Sequence, residues 1–197
     1  MKIRILIGLA VAMLSSFAFS QEYTKEGKEV DATILKIDKL HLLKYITPLL
    51  LKKTQINAIM TTLEKCQAKQ KEIIALDAKE FKKIEPDIDK ALDGALNDGS
   101  YINRGLQSQI VKLQDALIIR RKLATSEMVD MLLETCKKSL NEGQITAMHN
   151  LNDPNFVEGA TKITQLPDDE KVKLYIREIL LSPLTYDLLK QLAKKAQ

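Results

Sequence analysis

Between positions 48 and 140 the apolar residues recur in steps of three and four. One set runs Ile56, Ile59, Leu63, Cys66, Ile73, Ile74, Phe81, Ile84, Ile88 and Leu92; a second runs Leu106, Ile110, Leu113, Leu117, Ala124, Met128, Leu132, Cys136 and Leu140. That spacing lays each set along one stripe of a helix. Between them stands Asn97-Asp98-Gly99-Ser100, a chain-reversal signal. The pattern predicts a long helical hairpin. Its first arm starts near Leu49 and is expected to kink or break at Ile84-Glu85-Pro86, because proline removes a helix hydrogen bond and clashes one turn back; a shorter helix resumes to about Leu96. The second arm, from about Tyr101 to Leu140, holds no proline and at about 1.5 Å per residue reaches roughly 60 Å.

The flanks are read the same way. Residues 21–33 are polar and charged and predict a flexible lead. Ile34 to Ile46 is a short amphipathic segment, and Thr47-Pro48 fits an N-cap followed by a first helical residue. Asn141 with Gln144 predicts a capping box that opens a new short helix, which Asn152-Asp153-Pro154-Asn155 ends. A weak helix around Phe156 to Ile163 follows, then a breaker at Pro167-Asp168-Asp169. A final amphipathic pair, Glu170 to Leu181 and Leu184 to Ala196, closes the chain. The expected fold is all-α: an elongated helical hairpin with a proline break in its first arm, a short N-terminal helix and a C-terminal helix pair.

The first twenty residues read as a signal peptide. Lys2 and Arg4 form a positive start, Ile5 to Leu14 is an apolar run too short to span a bilayer, and Ala18-Phe19-Ser20 gives a small-x-small cleavage pattern before Gln21. The domain expectation is therefore a signal peptide at 1–20, a lead at 21–33, a hairpin domain at 34–152 and a C-terminal extension at 153–197. The mature product is expected in the periplasm or outside the cell, with no transmembrane segment. Removing two of the 30 basic residues leaves 28 against 26 acidic ones. A balance of +2, with no Trp and 5% aromatic residues, describes neither a polyanion binder nor a single-strand stacking platform, so no nucleic-acid partner is expected.

Two cysteines in an exported chain allow a single intramolecular disulfide. Antiparallel partners have a constant sum of residue numbers. Cys66 and Cys136 place the turn at 101, beside Gly99-Ser100, which favours a bridge closing a 70-residue loop and stabilising by roughly 4 kcal/mol. The other reading is two free buried thiols, ordinary for a small apolar residue. No CxxC occurs and no histidine stands near either cysteine in sequence.

The phrases that open the first arm and follow the second echo one another. Leu51-Lys52-Lys53-Thr54-Gln55-Ile56 and Leu140-Asn141-Glu142-Gly143-Gln144-Ile145 share Leu-x-x-x-Gln-Ile. The pair resembles the LTxxQ motifs of the Spy/CpxP family of periplasmic stress proteins, over about residues 34 to 150. The family threonine is Lys52 in one copy and Asn141 in the other; asparagine can cap a helix and lysine cannot. Residues 155 to 197 and the cysteine pair have no counterpart in that likeness.

The resemblance implies an exported chaperone or stress-signalling adaptor that uses no ATP. Two hairpins would form a homodimeric cradle offering apolar and basic groups to unfolded or partner proteins. The motif residues would be Leu51, Gln55, Leu140 and Gln144. The candidate client-binding cations would be Arg104, Arg120, Arg121 and Lys122, with Lys65, Lys69 and Lys71 on the first arm. Each also fits a solvated helix face, and Glu64, Glu72 and Asp115 dilute the patch.

Other chemistries find little footing. His41 and His149 lie 108 positions apart, the methionines lack Met-x-x-Met clustering, and neither GxSxG nor HExxH occurs. The carboxylates are dispersed as helix ion pairs. No catalytic residue, metal or cofactor is expected, and a metal-binding stress protein is the least favoured alternative. A structural or interaction protein of the envelope, dimerising through the arm stripes, is the alternative that uses the same amphipathic pattern.

Overall fold

A computed structural model describes residues 25–150 and 166–195. These residues are helical apart from short connections, with no strand among them: the fold is all-α. The predicted signal peptide, the Asn152–Asn155 stop and the helix expected around Phe156 to Ile163 lie outside the described residues.

The chain divides into two compact units, residues 1–38 and 39–197. In the first, residues 25–38 belong to helix α1 (Lys25–Ile46), so the lead expected to be flexible is helical from Lys25 onward. Once Ile34 to Ile46 has nucleated a helix, each preceding residue adds a backbone bond at little cost, and Lys and Glu oppose this only weakly. Val30, Ile34, Leu35 and Ile37 are exposed.

In the second unit, Thr47–Leu49 form a separate 3-10 turn rather than the first turn of the arm, and Leu50 takes a left-handed backbone with φ 47°. Helix α2 (Lys53–Asp98) is the first arm. It passes through Pro86 without a break, contrary to the sequence expectation. Pro86 and Lys82, whose carbonyl lacks its usual donor, are both exposed. The lost bond therefore falls on the solvent side, where a helix can absorb it by opening slightly. Gly99, with φ 64°, ends the arm, and Ser100 N–H reaches back to the Gly94 carbonyl at 3.2 Å. This closure, spanning six residues, satisfies a terminal carbonyl and needs a left-handed residue, which glycine supplies.

Helix α3 (Arg104–Ser139) returns as the second arm, with Asn103 Oδ1 accepting from Gly105 N–H at 2.6 Å as its cap. Helix α4 (Glu142–Asn150) follows, then α5 (Asp168–Tyr175), which continues into a π turn at Ile176–Leu180, and α6 (Thr185–Lys195). In the π turn Leu181 N–H bonds to the Ile176 carbonyl at 2.9 Å, while Thr185 Oγ1 donates to the Ile179 carbonyl at 2.5 Å.

The arms run antiparallel, and their register is fixed by polar contacts. The Thr62 and Thr135 hydroxyls meet at 2.8 Å, and Asp77 meets Arg120 at 2.5 Å. Facing residue numbers therefore add to 197, which centres the reversal between Asp98 and Gly99 rather than at 101.

The core sits at the base of the hairpin. Ile56, Ile59, Leu63, Leu132 and Cys136 pack there with Tyr45, Ile46, Leu49, Met148, Tyr175, Ile176, Leu180 and Leu189. Residues of α5 and α6 thus share one core with the arms. Tyr175 O–H donates to the Tyr45 carbonyl at 2.9 Å, and Tyr186 O–H donates to Glu64 at 2.6 Å. Between residues 67 and 123, only Asp77 is buried. Among the described residues, the far half of the hairpin is two helices with no third layer.

Candidate functional site

The first cluster lies at the base, where the two Leu-x-x-x-Gln copies meet. Gln55 Nε2 donates to Gln144 Oε1 at 2.9 Å and to the Ser139 carbonyl at 2.9 Å. Gln144 Nε2 donates to Gln55 Oε1 at 3.1 Å and to the Leu49 carbonyl at 2.8 Å. Each Oε1 also accepts the backbone N–H at the second position of its own copy, Lys52 at 2.9 Å and Asn141 at 3.0 Å. Asn141 Oδ1 accepts Gln144 N–H at 2.9 Å, so the second copy is a complete capping box. Lys52 has no acceptor on its side chain, and the first copy is a half box. Leu140 is buried beside this cluster and Leu51 is partly buried against the core. The two motif copies therefore bond to each other, a bond that ties the start of α2 to the start of α4.

The second cluster sits where the core ends. Asp77, 3% exposed, accepts from Arg120 Nη1 at 2.5 Å and from Arg121 Nε at 3.0 Å, while Arg120 Nη2 reaches Glu80 at 2.8 Å. The Glu80 hydrogen bond, with Asp77 behind it, raises the Arg120 pKa above its ordinary value. Two of the four cations proposed from sequence are thus engaged across the hairpin. Lys122 is exposed with no ion-pair partner among the described residues; Arg104 is exposed in the first turn of α3, about 24 Å from Arg120 at 1.5 Å per residue. The four do not form one patch. Asp77 was not anticipated. Its signal was a carboxylate set in the apolar stripe between Ile74 and Phe81, facing an arginine pair.

The disulfide expected between Cys66 and Cys136 is not formed: both are buried free thiols. The reason is register. With facing positions adding to 197, Cys136 faces residue 61, five residues from Cys66, a stagger of roughly 7.5 Å along the axis. Added to the ordinary spacing of packed helices, this exceeds the reach of a disulfide. The Cys66 thiol lies 3.9 Å from the Met128 carbonyl. Burial raises the pKa of both thiols, that of Cys136 to about 12. A thiol so held is a poor nucleophile.

Beyond the core, both arms expose large apolar side chains: Ile74, Leu76, Phe81, Leu92 and Leu96 on α2, and Val111, Ile119 and Leu123 on α3, with Tyr101 and Ile102 in the turn. Two grooves flank the C-terminal helices. One, of about 540 Å³, is lined by Leu63, Cys66, Ile74, Met128, Leu181 and Tyr186 among others. The second, also about 540 Å³, is lined by Arg121, Lys122, Lys173 and Arg177 together with Asp130 and Glu170. Among the described residues no group of three or more His, Cys, Asp or Glu is placed to hold a metal ion, and no helix is long and apolar enough to cross a membrane.

Comparison with protein-family models, with curated proteins and with solved structures gives no match for this chain.

Proposed function

We propose that the mature chain is an exported protein of the periplasm or cell exterior that binds unfolded or partner polypeptides without ATP, as a chaperone or envelope-stress adaptor of the Spy/CpxP kind. The observation that carries this is the uncovered apolar surface of the distal arms, centred on Phe81, Leu92, Leu96, Ile119 and Leu123. Large apolar groups left exposed along both arms mark an interaction surface. Here lysines are interleaved with it (Lys79, Lys82, Lys83 and Lys90 on α2, Lys112 on α3). Charge steers an encounter and modest apolar contact holds it, so a client binds quickly and leaves without energy input. The meeting of Gln55 and Gln144 supports the motif likeness, since it gives two short, separated sequence copies one shared structural task.

A second reading draws on the same surface. The distal stripes would pair with another copy or an envelope partner, giving an interaction protein without chaperone activity. Aggregation of an unrelated denatured protein separates the two. The purified mature chain is expected to slow aggregation at near-stoichiometric ratio with no nucleotide present. Replacing Phe81, Ile119 and Leu123 by serine is expected to abolish this. No effect of the parent chain in low salt turns the assignment to the interaction protein.

A further inference from the structure

We infer that the Asp77 cluster is a latch on the distal half of the hairpin, which opens beyond it and shows the inner apolar stripes of both arms to a client. The inference rests on the polypeptide-binding function above and names how that binding is regulated. Closed arms withhold the inner surface; open arms present it.

Three side-chain hydrogen bonds cross between the arms at the cluster. Arg120 Nη1 and Arg121 Nε donate to the buried Asp77, and Arg120 Nη2 donates to Glu80. From Glu80 to the tip, no side-chain hydrogen bond or ion pair joins the arms among the described residues. What holds them there is apolar contact alone. At the register the cluster sets, Ile84 faces Leu113 and Ile88 faces Ile110, and all four are only half-buried. Pro86 deprives α2 of a backbone bond in the same stretch. A segment with so few buried contacts opens locally while the rest of the fold stays intact.

The chemistry of the cluster suits release. An apolar seam loses its whole gain when it parts, whereas a separated carboxylate and guanidinium recover the hydration that pairing took from them. The base has the opposite character: Ile56, Ile59, Leu63, Leu132 and Cys136 share one core with residues of α5 and α6. Opening therefore stops at the cluster. An apolar client segment entering between the arms replaces the contact that each stripe gives up, so it binds the open state better and draws the equilibrium toward it.

The test begins with hydrogen exchange on the full mature chain, read by mass spectrometry. Amides of residues 81–119 are expected to exchange roughly tenfold or more faster than those of 53–66 and 124–139. Asp77→Asn is expected to speed the distal amides by about a further tenfold and to leave the base unchanged. Distal amides as slow as the base, or an Asp77→Asn effect spread over both, overturns the latch.

Binding is read by anisotropy with fluorescein-labelled lactalbumin, reduced and carboxymethylated so that it stays unfolded. Apparent affinity scales with the open fraction, so Asp77→Asn is expected to tighten binding by about the same tenfold that it adds to exchange. A lock gives the reverse. Ile84→Cys with Leu113→Cys, oxidised with diamide, joins facing positions beyond the latch and is expected to slow distal exchange and weaken binding, with reductant restoring both. Binding unmoved by the closed lock overturns the proposal, because the client then stays on the outer faces. Distal exchange that answers to Asp77→Asn with no client binding by any form removes the function above and leaves the latch standing.

Discussion

The side-chain amides of Gln55 and Gln144 exchange hydrogen bonds, at 2.9 and 3.1 Å, across 89 positions of sequence. Each glutamine also satisfies backbone groups of its own and the facing element, so each removal strands several partners. Gln144, 9% exposed, is the deeper of the two.

Gln144→Ala is expected to destabilise the fold by about 2–4 kcal/mol, since a truncated side chain leaves the Leu49 carbonyl, Asn141 N–H and the Gln55 amide short of partners. Gln55→Ala is expected to cost less, about 1–2 kcal/mol, because it is only partly buried. Urea denaturation of both singles and the double mutant checks this. A coupling of about 1 kcal/mol or more is expected, and strict additivity would show that the pair does not act as a unit.

The two thiols give a pH dependence. Burial pushes Cys136 from its ordinary value of 9.0 up to about 12 and raises Cys66 and Tyr175 as well. A group that holds its proton more tightly when folded contributes fully below its unfolded pKa, and that contribution fades as pH rises toward the folded value. Stability is therefore expected to fall between pH 9 and 12, by about 1.4 kcal/mol per pH unit for each group that titrates only on unfolding. Cys136→Ala is expected to flatten that decline in denaturant titrations at pH 8 and 10.5. At pH 7 the native chain should react slowly with a thiol reagent, and two thiols should appear on unfolding.

Pro86 lies inside an unbroken helix, so its replacement tests what the proline costs. Pro86→Ala restores a donor for the Lys82 carbonyl and removes the ring clash. An increase in stability of about 1–3 kcal/mol is expected, with slower amide exchange around residues 82–90. A loss of stability would show that the helix depends on the local shape proline imposes.

Leu189 is fully buried in the core shared by α6 and the arms. Leu189→Ala is expected to cost about 2–4 kcal/mol. One cooperative transition by circular dichroism, shifted as a whole, would show that the C-terminal helices melt with the hairpin. A separate early phase would show that they dock as an independent layer.

The hairpin was legible because Ile56, Ile59, Leu63 and Leu132, Cys136, Leu140 keep helical spacing and Gly99 marks the reversal. The motif glutamines were legible as a repeated phrase. Their mutual bond was not, because nothing local says that the starts of α2 and α4 adjoin. The cysteine pairing failed by a small error with a large effect. Two and a half residues of displacement in the turn shift facing positions by five, and only the Thr62–Thr135 and Asp77–Arg120 contacts fix the true register. Pro86 misled because local propensity ignores where the missing bond falls. The helical start at Lys25 shows the same limit, since a polar stretch follows the helix it adjoins. The grooves depend on Arg177 and Lys173 meeting Arg121 and Lys122, a tertiary fact absent from any one segment.

Five residues of stagger keep the two sulfurs apart as surely as distance would. To join them, one arm must slide past the other by about a turn and a half, tearing Thr62 from Thr135 and Gln55 from Gln144 and drawing Asp77 away from its guanidinium pair. Any covalent link found between them would be the fossil of a slipped chain, and its yield under oxidants would clock how often the arms lose their place.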